Sequence, residues 1–565
     1  LRKSCVIEPQ STDLSPSTPS PAPIAGPRGR WKWGFAILLI ACIAQGILWA
    51  KWWEDPTHFK MSILFVWPAA LFCLTIWWVF FSGWSWLIRL GSVAIIAASI
   101  AGFLAMYRLE WDGDMVPRRF VLRSKPRAED VARQFLKQQP NPTPPKSEPD
   151  DAAESANAPA LVDTDGDWPG FRGPRRDGIV RGGSLRRNWE KSPPREIWRH
   201  PVGRGWSAFS VVGKYAFTQE QRDEFECVVA YDVATGEQIW VHSDKTVLSI
   251  VDANGGPGPH GTPQFDEGLI YTLGGTGILN CLEAATGKLI WTANILHDAG
   301  GDKEWPMPQW GVSNSPLIVD NLVIVIPGGS STEGSAACDK GVAAYEKKTG
   351  KLEWAAGKHK ASYGSPRLET IGEVRQVLIP NANGLSGHSA ETGQELWFFP
   401  LENDPEVNST MPWLLDGDSL LFGTGYGIGS VRIDVKMNAR NSWTATKRWA
   451  SNRFRPKFND FVVREGHAYG LDDGTLSCLD VETGKIKWKN GRYGYGQLLL
   501  VDDVLLVIGE DGDLMLTPAT PDKPERLASF KVFDSGFCWN HLALVRGRLF
   551  ARNANEAVCL DVGEE

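Results

Sequence analysis

Apolar residues follow two different patterns along this chain. Three long uncharged runs come first, Trp33–Trp49, Met61–Trp86 and Leu90–Tyr107. Runs of about 18 or more such residues predict membrane-spanning helices. Trp31, Trp33, Trp49, Trp52 and Trp53 mark the ends of the first run, as interfacial aromatic residues do. A buried helical core is the competing reading and fits these flanks less well. Beyond residue 167 the pattern changes to short strand-like runs broken by glycine-containing turns, which predicts β-sheet. Between the two regimes, Arg127–Gln139 has helical spacing with Val131, Phe135 and Leu136 on one side. Gln139–Pro159 then carries Pro140, Pro142, Pro144, Pro145 and Pro149 among acids and alanines, a composition for a solvated, semi-rigid tether. The expected division is a disordered Pro/Ser-rich stretch 1–30, three transmembrane helices in 31–107, a juxtamembrane helix and tether in 108–166, and a β-domain in 167–565.

Some thirty Pro/Ser-rich residues precede the first apolar run and two further runs follow it, so a cleavable signal peptide is not expected. Arg28, Arg30 and Lys32 favour a cytoplasmic start. Arg118, Arg119, Arg123, Lys125 and Arg127 after the third run pull the other way.

The β-region repeats. T-G-x-x-x-W occurs at Thr235–Trp240, Thr286–Trp291, Thr349–Trp354, Thr392–Trp397 and Thr483–Trp488. An acid or serine three residues before each Thr starts a turn, the Gly takes a left-handed conformation, and the Trp-bearing strand returns antiparallel. Degenerate copies follow Val431–Asp434, leading to Trp449, and Leu514–Thr517, leading to Phe530. The last run, Ala557–Val562, lacks a returning strand, and Glu196–Val202 with Trp198 can supply it. Eight aromatic anchors result, 39 to 63 residues apart, the length of a four-stranded blade plus loops. The fold class predicted is all-β: an eight-bladed β-propeller closed by an N-terminal strand, preceded by the α-helical transmembrane region. Closure of this kind leaves only short, protected sheet edges.

Charge narrows the function. The 565 residues hold 59 Lys plus Arg against 66 Asp plus Glu, a net −7, which argues against nucleic acid as partner. The 26 Trp and 58 Gly match the aromatic packing and tight turns of the repeat. The nine cysteines include no adjacent pair and no C-x-x-C-H, and Cys281, Cys478 and Cys559 share one strand position that suits a small apolar side chain. The glycines at 423, 425, 427 and 429 precede a strand rather than a helix, so no dinucleotide fingerprint exists. Asp163, Asp165 and Asp167 mimic a calcium loop, but Trp168 stands where glycine is required. No zinc-hydrolase motif, nucleophile elbow or P-loop is present.

The repeats resemble those of the PQQ-like propeller family, whose strands end in L-D-x-x-T-G-K-x-x-W, over roughly Glu196–Val562. The segment DWPGFRGPRRDG (Asp167–Gly178) also resembles the opening of membrane-associated bacterial members. The resemblance implies one of two classes. The first is a BamB-like, non-enzymatic binding or scaffold module of the bacterial cell envelope, in the inner membrane with a periplasmic propeller and an envelope protein partner. The second is a quinoprotein dehydrogenase with pyrroloquinoline quinone (PQQ) and Ca²⁺ in the central funnel, passing electrons to membrane quinone. The first is favoured, because the adjacent cysteines of alcohol-oxidising quinoproteins are missing and the propeller is short of large inserted loops.

Turns before each blade's first strand are expected to line the funnel mouth. They carry His260, Trp310, Asn314, Tyr363, Lys457, Asn459, Asp460, Arg492, Tyr493, Trp539, Asn540 and His541. Trp faces and cationic donors together suit a small anionic aromatic ligand. For a quinoprotein, Asp460 is the candidate general base, Asn459 and Asp460 the candidate metal ligands, and Lys457 or Arg492 the groups meeting quinone oxygens. The alternative for each is that it satisfies loop backbone groups. Gln219, Glu220 and Arg222 are placed in the first blade's hairpin turn.

Overall fold

The computed structural model describes residues 31–51, 56–111, 117–139, 161–183, 185–249, 256–300, 307–328, 340–534, 536 and 538–564. The Pro/Ser-rich start and the proline-rich stretch 140–159 lie outside the described residues. The chain divides into two units, Leu1–Arg108 and Leu109–Glu565.

In the first unit the uncharged runs form α1 (Trp31–Lys51), α2 (Pro56–Phe81) and α3 (Trp86–Met106), three helices long and apolar enough to cross a membrane. Their outward residues are large and apolar, Leu39, Phe72, Leu87 and Ile95 among them, as a hydrocarbon solvent requires. Gly34 lets α2 approach: a Cβ there would stand 3.0 Å from the Trp77 ring. Two polar contacts join the helices, Gln45 Nε2 donating to Ser62 Oγ at 2.8 Å and Trp78 Nε1 to Ser92 Oγ at 2.6 Å.

In the second unit the repeat builds eight antiparallel sheets. Blades one to seven span residues 210–244, 264–294, 317–356, 367–400, 413–451, 462–492 and 497–531, and the eighth joins 543–561 to the N-terminal strand Arg195–Pro201. That strand pairs antiparallel with the C-terminal one, Cys559 opposite Trp198, and so closes the ring. Strand order within a blade puts the inter-blade connections and the middle hairpin turns on one face, called here the mouth face.

The T-G turn works as its residue types dictate. Asp232 Oδ1 accepts from the amides of Ala234 and Thr235, and Asp480 Oδ1 from those of Glu482 and Thr483. Gly236, Gly287, Gly350, Gly393 and Gly484 all have φ between 68° and 74°, the left-handed region. Bareness at this glycine has a second use. A Cβ on Gly236 would lie 2.6 Å from Trp198, and one on Gly287 2.5 Å from Trp240, because these Trp rings stack on the turn of the next blade, as Trp291, Trp354 and Trp449 do on Gly350, Gly393 and Gly484.

The same indoles donate Nε1–H across the gap. Trp198 bonds Val233 O at 3.1 Å, Trp240 bonds Ala284 O at 3.0 Å, Trp291 bonds Lys347 O at 2.9 Å, and Trp449 and Trp488 bond Val481 O and Thr520 O at 3.0 Å. Trp397 turns instead to Gln376 Oε1 within its own blade, at 2.7 Å. Opposite seven of these anchors the ladder shifts register, as at Ala230/Tyr231 and Cys478/Leu479. Cys281, Cys478 and Cys559 face Trp291, Trp488 and Trp198, and burial pushes each thiol up to about 12, as expected of packing rather than reactive cysteines.

A hairpin (Tyr107–Trp111, Pro117–Leu122) and α4 (Ala128–Gln138) precede the propeller. α4 lies on the closing strand of blade eight. Phe135 stacks on His200 at 5.8 Å, His200 stacks on Trp198 at 5.0 Å, Glu129 pairs with Arg204, and Arg133 Nε bonds Asp223 at 2.7 Å. The outer edge of the ring's closing sheet is therefore covered by the chain that precedes it.

Removing the indole from a clasp should cost most of a large buried side chain. Trp240→Ala is expected to lose about 3–5 kcal/mol, and Trp240→Phe, which keeps a stacking ring but no donor, about 1 kcal/mol more than a neutral surface change. Thermal and denaturant melts of the two variants check this; equal losses would show that the hydrogen bond carries the clasp rather than the stack.

Candidate functional site

The segment Asp167–Val180 fills the axis of the propeller. Trp168 bridges Val211 on the inner strand of blade one, and Pro169 O accepts from Phe265 N of blade two at 2.7 Å. Arg176 donates to Pro316 O and Ser315 O at the start of blade three, at 2.8 and 3.1 Å. Arg172 Nη2 reaches Phe461 O of blade six at 2.8 Å. Phe171 meets the His541 ring of the connection into blade eight at 4.7 Å. Ile179–Val180 then adds a parallel strand inside blade seven, pairing with Leu500 and Val501. Blades three and seven stand opposite each other in an eight-fold ring, so one short segment crosses the channel and closes it. Arg172 and Arg176 adopt φ of 59° and 52°, left-handed values that side chains rarely take and that the surrounding bonds impose.

The mouth face above this plug is aromatic. Trp206, Trp310, Tyr363, Tyr426, Phe458, Tyr495 and Trp539 are all half-buried. Phe458 stacks on Trp539 at 5.0 Å, Trp206 tilts against Trp539 at 5.3 Å, and Tyr495 stands edge-on to Phe458 at 5.1 Å. Trp310 and Tyr363 form a second pair at 5.5 Å. Lys457, itself buried, holds Nζ 4.8 Å from the Tyr426 and Tyr495 centroids, 5.0 Å from Phe458, and 3.2 Å from Tyr495 Oη. Each such contact is worth about 0.5–2 kcal/mol.

The residues singled out from sequence are thus dispersed rather than gathered in one site. Lys457 and Trp539 belong to the aromatic cluster. Asp460 and His541 face the plug, and Asn459 is buried beside Asp460 in the same connection. Asp460 accepts from Met411 N at 2.7 Å and lies 3.7 Å from Arg172 and 4.0 Å from His541, and burial raises its carboxyl against the pull of Arg172. Burial and then Arg172 keep His541 well below its ordinary value. Asn314 and Asn540 bind backbone: Asn314 brackets Ile326, and Asn540 Nδ2 donates to Ser207 O at 2.9 Å. His260 bonds Ser313 at 3.0 Å and burial lowers it to about 4, while burial lifts Tyr363 to about 12.

Arg492 and Tyr493 lie at the end of blade six's outer strand. They line a separate cleft of about 600 Å³ with Asp511, Met515, Arg526 and Lys531. Gln219, Glu220 and Arg222 are on a strand rather than in a turn. Glu220 accepts from Gly203 N, Tyr231 Oη and Arg222 and so holds the closing connection, while Gln219 donates to Gly261 O in the connection between blades one and two. Sequence reasoning missed Phe171, Arg172 and Arg176, and the rings of Trp206, Tyr426, Phe458 and Tyr495. The available signal was the cluster of Arg and Gly in the opening segment.

Ca²⁺ does not fit at Asp460. Its surroundings are the guanidinium groups of Arg172, Arg176 and Arg367, and among the described residues no three His, Cys, Asp or Glu side chains converge. A cation needs a surplus of oxygen ligands and negative charge. The axial space that a flat cofactor would share with it holds Phe171 and the two arginines.

The mouth face also carries a titrating group. Glu226 of blade one is buried, accepts from Thr276 Oγ1 at 3.0 Å, and is raised by burial to about 7, with Asp244 adding to the rise.

Comparison with known proteins follows this geometry. The sequence profile described as outer membrane protein assembly factor BamB matches residues 195–490. Lupanine 17-hydroxylase (cytochrome c) from Pseudomonas sp is 29% identical over 188 residues, 29% of this chain and 25% of that protein, so the chain spans about a quarter of the length of this curated relative. The quinohemoprotein alcohol dehydrogenase of Comamonas testosteroni superposes with a TM-score of 0.51 at 14% identity, covering 78% of this chain and 84% of that one, a likeness of fold alone. BamB of Moraxella catarrhalis gives 0.46 at 16% identity, covering 65% and 97%.

Glu226 supplies a test of the mouth face. A carboxyl whose folded value is about 7 against an ordinary 4.5 makes the folded state the stronger proton binder, so stability falls as pH rises from 4.5 to 7 and is level above it. The full loss is about 3 kcal/mol at most. Glu226→Gln should flatten the melting-temperature profile between pH 5 and 7; an unchanged slope would assign the titration elsewhere.

Proposed function

Because the chain belongs to the family of outer membrane protein assembly factor BamB, we propose that it is a membrane-anchored, non-enzymatic binding module of the bacterial cell envelope. Its helices hold it in the inner membrane, and the propeller works on the periplasmic side, docking an envelope protein through the mouth face. The observation that carries this reading is the pairing of a broad aromatic rim around Lys457 with a channel closed from beneath by the chain's own segment. Half-exposed Trp and Tyr rings on a rigid scaffold supply the anchors on which protein interfaces depend most. A closed channel offers those rings as a surface instead of as the lip of a deep pocket.

A quinoprotein dehydrogenase is the competing reading, favoured by the name of the solved structure with the shared fold. The two part on cofactor. Purified full-length chain titrated with PQQ and Ca²⁺ should show no saturable rise in melting temperature and no new absorbance, since a ligand of the folded state alone stabilises it by mass action. A photo-cross-linking residue at Trp539, introduced in cells, should give a discrete protein adduct that is absent when the same residue replaces the exposed Thr446 of blade five. A tight one-to-one PQQ complex would overturn the assignment.

A further inference from the structure

The run GRYGYG (Gly491–Gly496) joins blades six and seven, and its Arg492 and Tyr493 line the cleft of about 600 Å³ between them. Its glycines make room. Gly491 takes a φ of 70°, and a Cβ on it would stand 2.5 Å from Tyr493 Oη. A Cβ on Gly494 would stand 2.1 Å from Glu510 Oε2. The outer strand of blade six is also bulged here: Thr475 faces Arg492, but Ser477 faces Lys489, so one extra residue is fitted in. A kink, a bulge and two bare positions thus set an arginine and a tyrosine on the wall of a cleft.

The walls of the cleft are tied in place. Asn490 Nδ2 donates to Pro524 O at 3.0 Å and Leu527 N to Leu516 O at 2.9 Å, which holds the loop that carries Arg526. Lys531 Nζ donates to Asp511 O at 2.9 Å and lies 3.3 Å from Asp513. Tyr493 Oη donates to Met515 Sδ at 2.7 Å, and a thioether is a weak acceptor. Burial raises the Tyr493 hydroxyl and the Arg526 charge opposes the rise, so that guanidinium acts on the same atom. Arg492 from blade six and Arg526 from blade seven are exposed, and among the described residues neither has a carboxylate within ion-pair distance. The cleft therefore offers three donors with no strong acceptor, two of them on flexible side chains from opposite blades.

We infer that the cleft between blades six and seven binds a small organic acid, one carboxylate on an apolar body. The carboxylate draws the Tyr493 hydroxyl away from Met515 Sδ and pairs with Arg526, because a charged oxygen is much the better acceptor. Arg492 reaches in from blade six, and the body of the ligand lies along Met515 and Phe530, which line the cleft. Asp511 and Asp513 line it too and disfavour a dianion such as a phosphate ester. The volume of about 600 Å³ lies within the range of small-molecule sites. None of the rings of the aromatic cluster lines this cleft, so the site is independent of what the mouth face binds.

Calorimetric titration of the full-length chain in neutral detergent with 4-phenylbutyrate, against a blank of detergent alone, tests this. One saturable site per chain is expected, and 4-phenylbutanol, the same body without the charge, should bind at least about tenfold more weakly. Arg492→Gln with Arg526→Gln should leave the melting temperature unchanged, since both side chains are exposed, and should weaken the acid at least about tenfold. Tyr493→Phe should weaken it as well, while Trp310→Ala on the mouth face should not. If the double variant fails to fold, the alcohol and Tyr493→Phe still decide. No saturable heat with the acid, equal affinity for acid and alcohol, or full affinity in the folded double variant would overturn the inference.

Discussion

An indole stacked on a bare glycine turn is the contact by which five of the eight blades hold the next. A four-stranded blade has two faces to bury and no core of its own, so the ring exists only if every gap is filled. Trp198, Trp240, Trp291 and Trp449 fill theirs with a flat ring and fix the separation with an Nε1–H bond to the carbonyl beside the following turn. The glycine serves twice, once for a backbone angle near 70° and once for the absent Cβ under the ring. Closure by the Arg195–Pro201 strand applies the same device to the chain's two ends, and α4 covers the resulting edge.

A closed ring still leaves an axial hole, and this chain fills it with itself. Segment 167–180 turns a channel into a floor beneath the mouth face. The cost is the burial of two arginines in left-handed backbone conformations, offset by carbonyl acceptors from blades three and six. The surface proposed for docking is then the rim, where the rings around the buried Lys457 remain half-exposed.

How much of this could be read from the sequence follows from how local each interaction is. The T-G-x-x-x-W turn is written within six residues, and even the degenerate copy ending in Trp449 keeps its clasp, with Arg432 opposite the indole and also bonded to Val481 O. The plug is written nowhere locally. Arg172 meets Phe461 across 289 residues and Arg176 meets Pro316 across 140, and no periodicity announces such contacts. The candidate site suffered likewise. Turn position identified which connections face the mouth, but not their radius, so Arg492 and Tyr493 fall in an outer cleft while Asp460 lies against the plug. Tyr426 and Tyr495 went unnoticed because their role comes from a lysine on a different connection.

The closed axis is the central claim, and hydrogen exchange of the folded full-length chain tests it most directly. The amides of Trp168, Gly178 and Ile179, bonded to Val211 O, Arg172 O and Asp177 Oδ1, should exchange as slowly as the inner strands of blades one and seven, because they open only with the core. Exchange of this segment at the rate of an exposed loop would contradict a plugged propeller and return the channel to the status of an open funnel.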